Sequence, residues 1–213
     1  MEKNYIILIP SHNELDSLRK IYSSIRRVNL DCFIVDDNST DNTNFWLKKN
    51  NATFFKNKKK LGYEKSLIIG FKHILKKFNY KYFIIFDADG EHKVKDLKKI
   101  IEFHKKIKAD ILICNRRSFN RWSEYLLSFI FNLFFKIKDP LSGLKIYDSI
   151  KLIKIIKKIK NNMYLVDIIK IFKNKNYRII NYEIDVNKRA GDSKVGKNIT
   201  VNMKILSLVK LLF

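Results

Sequence analysis

Short apolar runs alternate with helix-length amphipathic segments along the first half of this chain, and that alternation constrains the fold more than any single motif. Tyr5 to Ile9, Cys32 to Val35, Ala52 to Phe55, Tyr82 to Phe86 and Ile111 to Cys114 are nearly continuous apolar runs, as expected of strands buried on both faces. Between them lie segments of helical period. In Gly62 to Phe78, for example, Leu67, Ile68, Phe71, Ile74 and Leu75 recur at the spacing of one helix face. Strands alternating with amphipathic helices predict an α/β fold with a mostly parallel central sheet flanked by helices. Ligands of such sheets bind beyond the carboxyl ends of the strands, near a reversal in strand order. Glu14, Asp36, Asp37, Asp87 and Asp89 all fall on those loops. Carboxylates delivered to one rim from three separate strands are poorly explained as helix caps.

The densest of these loops is Phe86-Asp87-Ala88-Asp89-Gly90-Glu91-His92. In extended chain, residues two apart point the same way, so the turn can aim Asp87, Asp89 and Glu91 at one point. Hard oxygen donors converging in this way suit Mg²⁺ or Mn²⁺. Charge adds a second constraint: 44 Lys and Arg against 21 Asp and Glu give a formal net charge of +23. Such a balance suggests an anionic partner, whether nucleic acid, anionic lipid or a phosphorylated small molecule. Lys, Asn and Ile dominate together, a pattern that coding bias alone also produces. Cys32 and Cys114 sit in apolar strand-like runs without C-x-x-C spacing, which reads as buried thiols rather than a zinc or disulfide site. The N-terminus leads straight into a strand, with no expected secretory signal. The apolar stretch Tyr125 to Phe135 falls short of the ~20 residues a membrane span needs.

Beyond Cys114 the pattern changes. Trp122 to Ile137 reads as a strongly apolar helix, either core or at a membrane surface. A turn at Asp139 to Gly143 leads to a short strand at Leu144 to Tyr147. Helices follow over Ser149 to Lys160 and Tyr164 to Lys173, then a last strand over Tyr177 to Ile184. The loop Asn187 to Lys197 is basic, and Ile199 to Phe213 is amphipathic.

Taken in order, Ile9-Pro10-Ser11-His12-Asn13-Glu14, Val35-Asp36-Asp37-Asn38-Ser39-Thr40-Asp41, Gly62 with Gly70-Phe71, Asp87-Ala88-Asp89-Gly90-Glu91-His92, Asp139 with Ser142-Gly143, and Gly191-Asp192-Ser193-Lys194 resemble the motifs of glycosyltransferase family 2. Within that family the chain looks most like the dolichol-phosphate mannose synthases and their bacterial polyprenyl-phosphate relatives. The resemblance implies a GT-A (Rossmann-like) nucleotide-sugar-binding domain over residues 1–197, with an amphipathic C-terminal helix over 198–213. It places Pro10, His12, Glu14, Val35, Asp37 and Ala88 around the nucleotide. Asp87, Asp89 and Glu91 would hold Mg²⁺ or Mn²⁺ on the diphosphate. Arg116 would lie near the sugar or its phosphates, and Lys188 or Arg189, with Lys194, would close over phosphate. Asp89, Arg116 and Lys194 are the expected catalytic residues. Asp139, Ser142, Gly143 and Ser193 would form the acceptor region. Four positions depart from the pattern: Glu91 replaces the usual Gln, His12 a common Tyr, Lys188 an Arg, and Asp167 a Glu. The donor sugar is therefore not fixed.

The expected activity is inverting transfer from a nucleotide-sugar donor such as GDP-mannose or a UDP-hexose. A hydroxyl acceptor needs a general base, whereas a polyprenyl phosphate acceptor is already anionic and needs positioning. The basic C-terminal third favours the phosphate, with a glycan hydroxyl as the alternative acceptor. Peripheral membrane contact is expected through 199–213, with 122–137 as a second candidate, at a cytoplasmic face and with a membrane-protein partner as an option. A receiver domain is disfavoured because a complete strand–helix unit precedes Asp36-Asp37. A nucleic-acid-binding protein is disfavoured because no RNA-recognition signature or stacking pattern accompanies the charge.

Overall fold

The computed structural model describes residues 4–119, 121–156, 165–187 and 199–208. Seven strands, β1 (Tyr5–Ser11), β2 (Asp31–Asp36), β3 (Phe54–Lys56), β4 (Tyr82–Ile85), β5 (Ile111–Arg116), β6 (Lys145–Asp148) and β7 (Ile179–Ile184), form one sheet in the order β3-β2-β1-β4-β6-β5-β7. Every pairing is parallel except those of β6, which runs antiparallel to both β4 and β5. The helices are α1 (Leu15–Arg27), α2 (Thr43–Lys49), α3 (Tyr63–Lys77), α4 (Leu97–Ile107), α5 (Trp122–Phe135), α6 (Ser149–Ile156), α7 (Leu165–Asn174) and α8 (Ile199–Ser207). This is the expected α/β fold with a mostly parallel sheet.

Strand alternation divides the interior into two cores. Ile6, Leu8, Phe33, Val35, Phe83 and Ile85 point to the face covered by α3, α5, α6 and α7. Their neighbours Ile7, Ile9, Ile34, Ile84 and Leu112 point to the opposite face, under α1, α2 and α4. The two-sided burial explains why these strands lack polar alternates. On the first face α3 lies close to the sheet because Gly70 has no side chain: a Cβ there would sit 2.4 Å from Leu8 Cδ1.

Two boundaries differ from expectation for identifiable reasons. β1 continues through Pro10 to Ser11 rather than ending at the proline. Leu8 O accepts Phe86 N–H from the β4 side, so Pro10, two residues on, turns its missing donor toward the same side. Pairing with β4 has already stopped at Leu8–Ile85 by then, and no ladder bond is lost. Second, the helix expected from Val94 opens with a 3₁₀ turn over Val94–Asp96 before α4. The expected helical ends at Lys160 and Phe213 lie outside the described residues. Strand order reverses between β1 and β4, each of which is followed by an acidic loop, so the rim above these two strands is where a ligand site belongs.

Candidate active site

The loops after β1 and β2 are stitched together. Asn13, in the left-handed region at φ 53°, donates its backbone N–H to Ser39 Oγ (3.0 Å) and accepts Thr40 N–H at its side-chain oxygen (2.7 Å). The His12 ring lies 3.0 Å from the Asp37 carbonyl. Asp37 itself is buried, its carboxylate accepting Leu61 N–H (2.8 Å), Gly62 N–H (2.7 Å) and Asn57 Nδ2 (2.8 Å). Burial alone would raise its pKa, but these hydrogen bonds outweigh it and hold the carboxyl below its ordinary value. Asp37 thus fixes the entry to α3. Val35, expected at the nucleotide, is fully buried in the core beneath α3, because strand alternation turns it away from the rim. Pro10 is likewise buried in β1. Glu14 stands at the N-terminus of α1 on the rim.

In the acidic turn, Asp87 accepts the Tyr63 hydroxyl at 2.7 Å. Its carboxylate lies directly over Gly143, where a Cβ would meet Asp87 Oδ2 at 1.7 Å. Asp89 Oδ1 accepts Glu91 N–H at 2.9 Å, and the Ala88 carbonyl accepts the Ser17 hydroxyl. Glu91, the third expected metal ligand, places its carboxylate 3.6 Å from Arg116 Nη1, two residues from Asp89 on the same turn. Asp87 and Asp89 both follow β4 on this turn, and carboxylates of this kind suit a hard cation whose other ligands come from a bound phosphate.

Arg116, at the end of β5, is the hub of the site. Its Nε and Nη2 donate to the two Asp139 oxygens at 2.8 and 3.2 Å, and Glu124 stands 3.5 Å away. Burial by itself would lower the guanidinium pKa, but Asp139, Glu124 and Glu91 outweigh it and raise it. The expected acceptor residues Asp139 and Ser142 are not on the surface. Asp139 is fully buried against Arg116, and the Ser142 hydroxyl is spent on the Cys114 carbonyl at 2.6 Å. Both act from behind the rim, and Gly143 serves by leaving room for Asp87. Lys188, Arg189, Ser193 and Lys194 lie outside the described residues. Asn187, which precedes them, donates its backbone N–H to the Glu91 carbonyl at 2.8 Å.

Residues 6–150 match the family model described as Glycosyl transferase family 2. The chain belongs to that family. Among curated proteins it is 30% identical over 118 residues to an uncharacterized protein of Methanocaldococcus jannaschii. The match covers 53% of this chain and 52% of that protein, so the chain spans about half the length of its curated relative. Among solved structures it is similar to glucosyl-3-phosphoglycerate synthase from Mycobacterium tuberculosis (TM-score 0.74, 12% identity, covering 98% of this chain and 79% of that one). TarS from S. aureus superposes less fully (TM-score 0.58, 17% identity, 84% and 57%). At these identities the likeness shows the fold, which is the GT-A fold of family 2 glycosyltransferases.

Two buried groups of this family 2 chain were given no role by the sequence reading. Lys145, in β6, is 1% exposed, donates to the Ser142 carbonyl, and lies within the field of Asp139, Glu64 and Asp87. A lysine inside the run Leu144 to Tyr147 was its only signal. His92 is also buried, and neither ring nitrogen has a hydrogen-bond partner. Burial pushes its pKa down to about 4, so it is neutral and packs edge-on against Phe86.

Two outcomes are expected. In Gly143→Ala the new methyl displaces the Asp87 carboxylate, and sugar-transfer turnover falls at least about tenfold, as for other displaced catalytic-site groups. Steady-state rates against the parent measure this. Burial also lowers the Lys145 pKa to about 8 from its ordinary 10.5. Between those values the unfolded chain holds a proton that the folded chain has lost, so stability rises with pH across that window. Urea titrations at intervals from pH 8 to 10 should show a gain, on the order of 3 kcal/mol at most, that Lys145→Met lacks.

Proposed function

We propose that this enzyme is a metal-dependent inverting transferase that moves a sugar from a nucleotide-diphosphate donor to a polyprenyl phosphate, as the dolichol-phosphate mannose synthases do. The observation that carries the acceptor assignment is an open groove of about 500 Å³ beside Arg116. Lys138 brings positive charge to it beside the carboxylate-paired Arg116 and Arg117, and Phe119, Tyr125 and Phe129 give it apolar walls. Such a lining suits a phosphate joined to a hydrocarbon. Its one carboxylate, Glu183, is bound to Arg117 at 2.7 Å. A hydroxyl acceptor would need a general base at that point, whereas an ionised phosphate needs only to be held in line.

In the displacement, an acceptor phosphate oxygen bonds to the anomeric carbon as the bond from that carbon to the nucleoside diphosphate breaks. Asp87 and Asp89 are the residues that would hold the cation. A bound Mg²⁺ or Mn²⁺ would supply charge neutralisation on the departing diphosphate. The metal and nucleotide-sugar parts of the reading are supported by the fold neighbour from M. tuberculosis, crystallised with Mn²⁺, UDP-glucose and phosphoglyceric acid. Lys188, Arg189 and Lys194 are proposed as the cationic loop over phosphate.

The test is a transfer assay with radiolabelled UDP- and GDP-sugars and Mn²⁺ or Mg²⁺, offering a polyprenyl phosphate, phosphoglyceric acid or an oligosaccharide. The expected result is a solvent-extractable product that forms with the lipid phosphate and vanishes in excess chelator. Transfer to the oligosaccharide alone would replace this reading with the glycan-acceptor one.

A further inference from the structure

Helix α5 presents two unlike faces. Its inner face, Ser123, Glu124, Leu127 and Phe131, is buried against the sheet and α8. Ser123 Oγ bonds Asn202 there at 2.5 Å, and Ile205 and Leu208 of the C-terminal segment enter the same core. Its outer face carries Trp122, Leu126, Phe129 and Leu133 at i, i+4, i+7 and i+11, with Tyr125 beside them. Trp122 is 60%, Phe129 66% and Leu133 58% exposed. Large apolar side chains are seldom gathered on one exposed stripe unless something covers them.

We infer that this stripe is a docking surface for an anionic lipid bilayer, with α5 lying in the plane of the headgroups. Charge selects this occupant. Glu124 is the helix's one charged residue, and it is turned inward onto Arg116 and Arg121. Lys136 and Lys138 follow the helix at its exposed end, on a chain whose net charge is +23. A second copy of the chain docking through this patch would set those lysines and two strongly positive molecules against each other. Anionic headgroups resolve that repulsion, and tryptophan and tyrosine at the stripe's start suit the headgroup boundary. Of the two segments expected at a membrane, 122–137 rather than 199–213 carries this surface, because α8 turns Ile205 into the core. The groove beside Arg116 opens along the same helix, so a lipid-borne phosphate would reach it from the bilayer. The docking surface does not depend on that acceptor assignment.

The test is flotation of the full chain with vesicles of phosphatidylcholine, with and without phosphatidylglycerol, monitored also by fluorescence of a Trp46→Phe variant in which Trp122 is the remaining tryptophan. The expected result is flotation with the anionic vesicles, weakened by salt, and a blue shift of Trp122 emission. In Leu126→Asp/Leu133→Asp, whose side chains lie outside the groove, partitioning should fall at least about tenfold with unchanged circular dichroism. Trp122→Ala serves as a milder second variant with the same direction of effect. Absence of flotation, flotation indifferent to both variants, or an unshifted Trp122 spectrum would overturn the inference. So would a dimer in vesicle-free solution that Leu126→Asp/Leu133→Asp dissolves, since the stripe would then be an interface between copies.

Discussion

The ion cluster around Arg116 holds the site together. One guanidinium, almost wholly buried, meets carboxylates from the loop before β6 (Asp139), the first turn of α5 (Glu124) and the turn after β4 (Glu91). A buried cation surrounded by acids is costly to assemble and costlier still to break, because removing one partner strands charge in a poorly solvating interior. The cluster therefore couples three chain segments that share no strand pairing at this level. It also sets Asp139 and Glu91 against the arginine, beside a turn that carries Asp87 and Asp89.

That arrangement makes chemical sense for a family 2 glycosyltransferase. Magnesium and manganese commonly take one or two protein carboxylates and complete their shell with phosphate oxygens and water. A turn offering acids in this way, backed by the cluster around Arg116, suits a cation whose shell a bound phosphate completes. Rigidity is built in from below as well. Asp87 rests on the bare Cα of Gly143, Lys145 sits beneath the same loop, and Asp37 clamps the entry to α3.

The fold was legible because strands buried on both faces write themselves as apolar runs, and Tyr5 to Ile9 or Ile111 to Cys114 could be nothing else at that length. The rim was legible because acidic residues at strand ends share an address once the sheet is parallel. Individual roles were less so. Val35 sits beside Asp36 in sequence, yet alternation sends it into the core. Glu91 has the right spacing for the metal turn, and its approach to Arg116 is a contact that exists only after the sheet forms. Ser142 looked like an acceptor contact and instead closes the β5–β6 junction through the Cys114 carbonyl. Spacing reports which residues share a loop, while partners from distant segments decide where each side chain turns.

The most direct test of this account is the affinity of Mn²⁺ for the enzyme with a nucleoside diphosphate, measured by calorimetry in Glu91→Gln and Asp89→Asn. The account predicts that Glu91→Gln binds the ion within a few fold of the parent, while Asp89→Asn loses it. Loss in Glu91→Gln with retention in Asp89→Asn would contradict it, returning Glu91 to the metal and removing Arg116 from the centre of the site.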